Sequence, residues 1–163
     1  MMFLLLIIYN FAATAALLWM IVKDPRYMLQ DYPPEIIAAV PPRTEEEKKG
    51  ALLFGTPFLV VLFLFPLVAG WISKCTSDYN FLQIWLRIFF LMFSFNAFDL
   101  LIIDWFVFCT LTPKFMVIPG SEGHPAYKDY RFHFIAFLKG TFFSCLGSLF
   151  YAGLIEIFSL LIR

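Results

Sequence analysis

Four apolar runs, each long enough to cross a bilayer, leave a chain of this kind little choice but a helical membrane bundle. They cover residues 2–22, 51–73, 88–111 and 134–162. A helix needs about 20 residues to span a hydrocarbon core near 30 Å thick. The 22 Phe residues are spread through these runs without the period-two alternation of a transmembrane barrel. Composition agrees: 61% of residues are apolar and 20% aromatic, with a mean hydropathy of +0.81, whereas soluble domains are about 45–50% apolar. The expectation is one all-α domain, residues 1–163, forming a bundle of four transmembrane helices in the lipid bilayer.

The first run reads as a retained helix, not a secretory signal. No Lys or Arg precedes it, and bulky Trp19-Met-Ile-Val lies just beyond its Ala-rich stretch, whereas a signal wants a basic start and a small-residue cleavage site. Orientation follows the distribution of Lys and Arg. The connections after runs one and three carry Lys23, Arg26, Arg43, Lys48, Lys49, Lys114, Lys128 and Arg131, against Lys74, Arg87 and Arg163 on the other side. Both larger loops are therefore expected in the cytosol and both termini outside, in the cell membrane. Twelve basic residues balance twelve acidic ones, and no nucleic-acid partner is expected.

Inside the first loop, Pro33-Pro34 and Pro41-Pro42 fence a short apolar piece too short for a long helix. A surface-lying turn or short helix that packs Ile36, Ile37 and Val40 against lipid or the bundle is expected. Thr44-Glu-Glu-Glu47 is a capping box, so the second long helix should start at Glu45. Pro57 and Pro66 are expected to kink it. Three cysteines, Cys75 in the outer loop and Cys109 and Cys145 within runs, form no pair motif. With two His and no zinc-type spacing, no metal site is expected.

The chemistry concentrates in the third run, which holds Asn96, Asp99 and Asp104. A carboxyl at the centre of a spanning helix costs roughly 2.5–3.5 kcal/mol on insertion scales, so each needs a partner or water. Counted at 1.5 Å per residue from the inner ends, Asp104 lies roughly 12 Å deep and Lys139 on the fourth helix roughly 9 Å. A buried Asp104–Lys139 pair is the expectation, with a second pair, Arg87–Glu156, near the outer side. Asp99, roughly 20 Å deep, has no such basic match. It is expected either neutral and hydrogen-bonded to Asn96, Asn10, Ser144 or Ser148, or as a proton- or cation-coupled site facing a cavity.

A second candidate set is the loop at residues 113–133. His124, Tyr127, Lys128, Arg131 and His133 read either as an interfacial belt anchoring helix ends or as a site for an anionic headgroup or substrate. His124-Pro125-Ala126-Tyr127 locally resembles the HPxY element of isoprenylcysteine carboxyl methyltransferases and related phospholipid methyltransferases, small helical membrane enzymes. That resemblance implies a cofactor-binding role for His124 and Tyr127 at the cytosolic face. It covers four residues, and the paired glutamates those enzymes carry after the following helix have no counterpart here, so no family and no cofactor is assigned.

Gly140, Ser144, Ser148 and Ala152 recur every four residues on the fourth run. Such a small-residue ladder lets a second backbone approach closely, either the third helix or another copy or membrane partner. The leading function is a small transport or ion-translocating protein, the runner-up a membrane enzyme and the third a non-catalytic subunit of a membrane complex. A transporter or ion-translocating protein would use Asn96 and Asp99 at mid-membrane and Asp104 as a relay, with Asp99 facing a hydrated path. A membrane enzyme acting on a lipid-like substrate would bring the loop histidines and Asp104 to one pocket. A non-catalytic subunit would satisfy Asp99 inside a dry core.

Overall fold

The computed structural model describes residues 2–162 and is predominantly helical, with no strand among the described residues. Four helices are long and apolar enough to cross a membrane. They are α1 (Met2–Lys23), α3 (Glu45–Thr76), α4 (Phe81–Phe98) with its continuation to Leu111, and α5 (Tyr130–Ile162). Between α1 and α3 run a 3-10 turn (Pro25–Asp31) and a short helix, α2 (Pro34–Ala39).

Several sequence expectations hold at the residue level. Thr44 caps α3 through the Glu47 N–H while the Glu47 carboxylate accepts the Thr44 N–H. The proline-fenced piece is a six-residue helix that buries Ile36 completely and exposes Ile37. Pro57 and Pro66 both lie inside the continuous α3, and Cys75 falls in the last turn of α3 instead of a loop. One start signal was missed. Asn80 and Gln83 form a second capping box, so α4 begins at Phe81 and Arg87 lies inside the helix, not ahead of it.

The largest departure is in the third span. From Asp99 to Leu111 the chain is a π-helix of 13 residues, in which N–H groups reach back five residues instead of four. The Thr112 N–H donates to the Val107 carbonyl and the Thr110 hydroxyl to the Trp105 carbonyl. Thr112 then ends the segment in the left-handed region at φ 46°, and Pro113 prevents continuation. The wide helix is held at its loop end. Lys128 donates to the Cys109 and Thr110 carbonyls and the Thr112 hydroxyl, so a cation satisfies carbonyls that a helix end leaves open. The Trp105 indole donates to the Tyr130 carbonyl at the start of α5.

The spans pack around α4. Asn10 of α1 donates to Ser94, and Asn96 donates to the Phe137 carbonyl and Thr141 hydroxyl of α5. The small-residue ladder faces α4: Ser144, Ser148 and Ala152 are buried within the chain, and Trp85 donates to Ser148. A Cβ on Gly140 would come within 2.6 Å of the Asn96 Oδ1. Farther along α3, a Cβ on Gly70 would come within 2.7 Å of Ile88 of α4 and 2.9 Å of Ile155 of α5.

Candidate functional site

A cavity of about 720 Å³ runs inside the bundle from the loop end as far as Tyr9 of α1 and Tyr151 of α5. Phe58, Leu62 and Phe63 of α3 and Ala136, Gly140 and Phe143 of α5 line its long walls. Phe63 and Phe143 are also exposed on the bundle surface, so the cavity opens sideways between α3 and α5. It opens again at the loop end, where the exposed Gln30 and Asp31 contribute to its lining. The other end is closed. Ile84, Ile88, Met92, Ala152 and Ile155 form an apolar cluster there, with Leu67, Trp71 and Tyr151 packed against it.

The π-helical segment determines what the cavity contains. In an α-helix, residues five apart point about 140° away from each other. In a π-helix they are neighbours along one face. Asp99, Ile103, Asp104 and Phe108 therefore all line the cavity, continuing the face begun by Met92, Phe95 and Asn96. Asp99 Oδ1 is buried and accepts no hydrogen bond. The expected neighbours are otherwise engaged: Asn96 with α5, Asn10 with Ser94, and Ser148 with Trp85.

Asp104 does not pair with Lys139. Its Oδ1 stands 3.1 Å from Nδ1 of His133, while Lys139 lies exposed on the outside of α5. Asp104 faces the cavity, whereas Lys139 faces outward. The Arg87–Glu156 expectation fails for a similar reason. Glu156 pairs with Lys74 of α3 at 2.7 Å, and Arg87 donates to the Tyr79 hydroxyl with its guanidinium 4.2 Å from the Tyr79 ring centroid.

His133 is 5% exposed, set edge-on to the Phe108 and Phe132 rings. Its Nε2 is buried without a partner, in a side chain that lines the cavity. The rest of the loop set does not line the cavity. His124 Nδ1 accepts the Ala126 N–H and caps the 3-10 turn Pro125–Lys128. Tyr127 is buried, its hydroxyl taking the Ile118 N–H and contacting Ser121. Lys128 closes the π-helix, and Arg131 is exposed. The HPxY-like element is thus occupied in holding the loop together.

Sequence reading missed Asp31. It follows Gln30 in a polar loop, and only the folding of the 3-10 turn back over the bundle brings it to the cavity rim. Desolvation there pushes its carboxyl above the usual range, and Asp104 adds to this, while Gln30 and Arg43 pull it down. Arg43 in turn donates to the Gln30 side-chain amide oxygen and the Tyr27 backbone carbonyl. Three acidic groups and one imidazole thus share the cavity, though among the described residues no cluster of three such groups is close enough to hold a metal ion.

Fold and site together define an all-α protein with four candidate membrane spans and an acidic cavity closed at one end. No protein-family model, curated protein or solved structure matches the chain.

Proposed function

We propose that this is an integral membrane enzyme that admits a lipid-like amphiphile sideways between α3 and α5 and performs acid–base chemistry on its polar head. The observation that carries this is the His133–Asp104 pair. A carboxylate 3.1 Å from Nδ1 favours the ring proton on that nitrogen. That leaves Nε2 as a base, and Nε2 is the buried, unpartnered atom of a side chain lining the cavity. General acid–base groups require this combination of an oriented ring and a free nitrogen. The cavity volume falls in the range of about 300–1,000 Å³ typical of ligand sites, and its walls are Phe, Leu and Ile over most of their length.

The excess of Lys and Arg around the loops supports an orientation with the loop end, and so the polar end of the cavity, in the cytosol and both termini outside. Solute translocation is the second reading, favoured by one observation: Asn96 and Asp99 line the cavity where a mid-membrane polar site would be needed. The apolar cluster around Ile88, Met92 and Ile155 gives that path no continuation in this conformation.

The test is turnover of membrane lipid. Purified protein in lipid nanodiscs is incubated with a total lipid extract, and the extract is compared by mass spectrometry with one exposed to His133→Gln. A species converted by the wild type and converted at least about 100-fold more slowly by the variant supports the reading, since acid–base groups contribute about 10²–10⁴-fold. Equal conversion by both proteins, or none by the wild type while a pH gradient drives solute into proteoliposomes, transfers the assignment to translocation.

A further inference from the structure

We infer that the amphiphile this cavity selects carries a primary ammonium head on a single hydrocarbon chain. The inference rests on the amphiphile reading above and specifies its substrate class. It follows from the hydrogen-bonding character of the polar end. Asp99 presents Oδ1 without a partner, and His133, paired with Asp104 through Nδ1, presents an unpartnered Nε2. Asn96 has committed its amide N–H groups to Phe137 and Thr141, so only its carbonyl oxygen remains. Tyr32 has spent its hydroxyl proton on the Met116 carbonyl. Asp99, His133, Asn96 and Tyr32 therefore present acceptors to the cavity, and the donors on its wall are the neutral side chains of Gln30, Ser144 and Tyr151.

Charge runs the same way. Asp31, Asp99 and Asp104 line the cavity, and no Lys or Arg does. Arg43 acts on Asp31 from outside the cavity lining, held by Gln30 and Tyr27. A carboxylate or phosphate head would meet three acids and, as donors, only the neutral side chains of Gln30, Ser144 and Tyr151. A neutral hydroxyl head would satisfy one acceptor and bring no counter-charge to the carboxyl groups. An ammonium offers three donors and the missing positive charge. The lining away from this end is aliphatic and aromatic, with exposed Phe63, Phe143 and Phe150 along the sideways opening, which suits one flexible chain.

The experiment measures thermal unfolding of the full chain in phosphatidylcholine nanodiscs with hexadecylamine, hexadecanol or palmitate added. Hexadecylamine should raise the midpoint saturably, and the other two should not. Asp99→Asn should weaken the amine response at least about 30-fold, as expected when a buried charge loses its partner. Asp99→Glu, which keeps the charge, should restore part of it. Ala136→Trp, which fills the opening at an already exposed position, should abolish the response to any amphiphile while the ligand-free midpoint stays near that of the wild type. Hexadecanol or palmitate stabilising as well as the amine, with Ala136→Trp still blocking, would overturn the ammonium assignment and leave the amphiphile reading standing. An amine response insensitive to both Asp99→Asn and Ala136→Trp would be partitioning into the bilayer and would overturn both.

Discussion

Asp99 and Asp104, five residues apart in sequence, lie one π-helical turn apart on a single face of the third span and line the same cavity. That geometry brings two acids that a regular helix would separate into one site, with His133 as the partner of the second. π-Helical turns are rare and recur at functional sites, and this one begins at the first acid.

The shared face predicts a labelling pattern. In a background lacking the native cysteines, Asp99→Cys, Ile103→Cys and Asp104→Cys should all react with a small polar thiol reagent through the cavity. Leu101→Cys and Ile102→Cys, on the exposed outer side, should resist it in lipid, because the thiolate needs water. An α-helical third span would place positions 99 and 104 about 140° apart, and one of the two would stay unlabelled.

The partner of Asp104 is testable by a double-mutant cycle. Asp104→Asn and His133→Gln should each cost about 1–3 kcal/mol, the range for leaving a buried polar group without its partner, and the double variant should lose less than the sum. Lys139→Met should stay within about 0.5 kcal/mol, as exposed positions do, and add independently to Asp104→Asn. Coupling between 104 and 139 instead of 104 and 133 would overturn the pair.

Asp31 gives a pH signature. Its carboxyl is held above the ordinary range by desolvation and by Asp104, so the folded state binds its proton more tightly than the unfolded chain. Between the unfolded value near 3.9 and the raised folded value, the folded state carries more protons, and stability must fall as pH rises. Unfolding midpoints measured across that window should decline for the wild type and decline less for Asp31→Asn. Parallel curves would mean that Asp31 is solvated like a free carboxylate.

Gly140 sets the spacing of α4 and α5. A Cβ there would lie 2.6 Å from Asn96 Oδ1, and Asn96 is tied by two hydrogen bonds to α5, so it cannot move aside without breaking them. Gly140→Ala should therefore cost about 1–3 kcal/mol by overpacking. Gly153→Ala, where nothing lies within 4 Å, should be tolerated. Equal stability of the two variants in a denaturation series would show that the ladder does not seat α4.

Lys128 should matter through the π-helix it closes. Lys128→Met removes the donor to two carbonyls and a hydroxyl and should cost about 1 kcal/mol, the scale of a helix-end cation. Amide exchange should quicken at residues 107–112. Arg131→Met, at an exposed position without such contacts, should change neither readout.

Much of this protein is legible along the chain. Span number, the Thr44 cap of α3, the short helix between proline pairs and the close-packed ladder all follow from local sequence, because hydrophobic length, capping chemistry and side-chain size act within a few residues. Asn96, Asp99 and Asp104 were also identifiable, since polar groups stand out in an apolar run. What the sequence could not decide was rotation. Depth can be counted along a helix axis, and counting put Asp104 level with Lys139. The direction each side chain faces depends on which neighbours a helix touches and on its own pitch. The switch from α to π at Asp99 turned Asp104 toward His133, and the fold of the first loop carried Asp31 to the same cavity. Those are relations between segments distant in sequence, settled only when the helices pack.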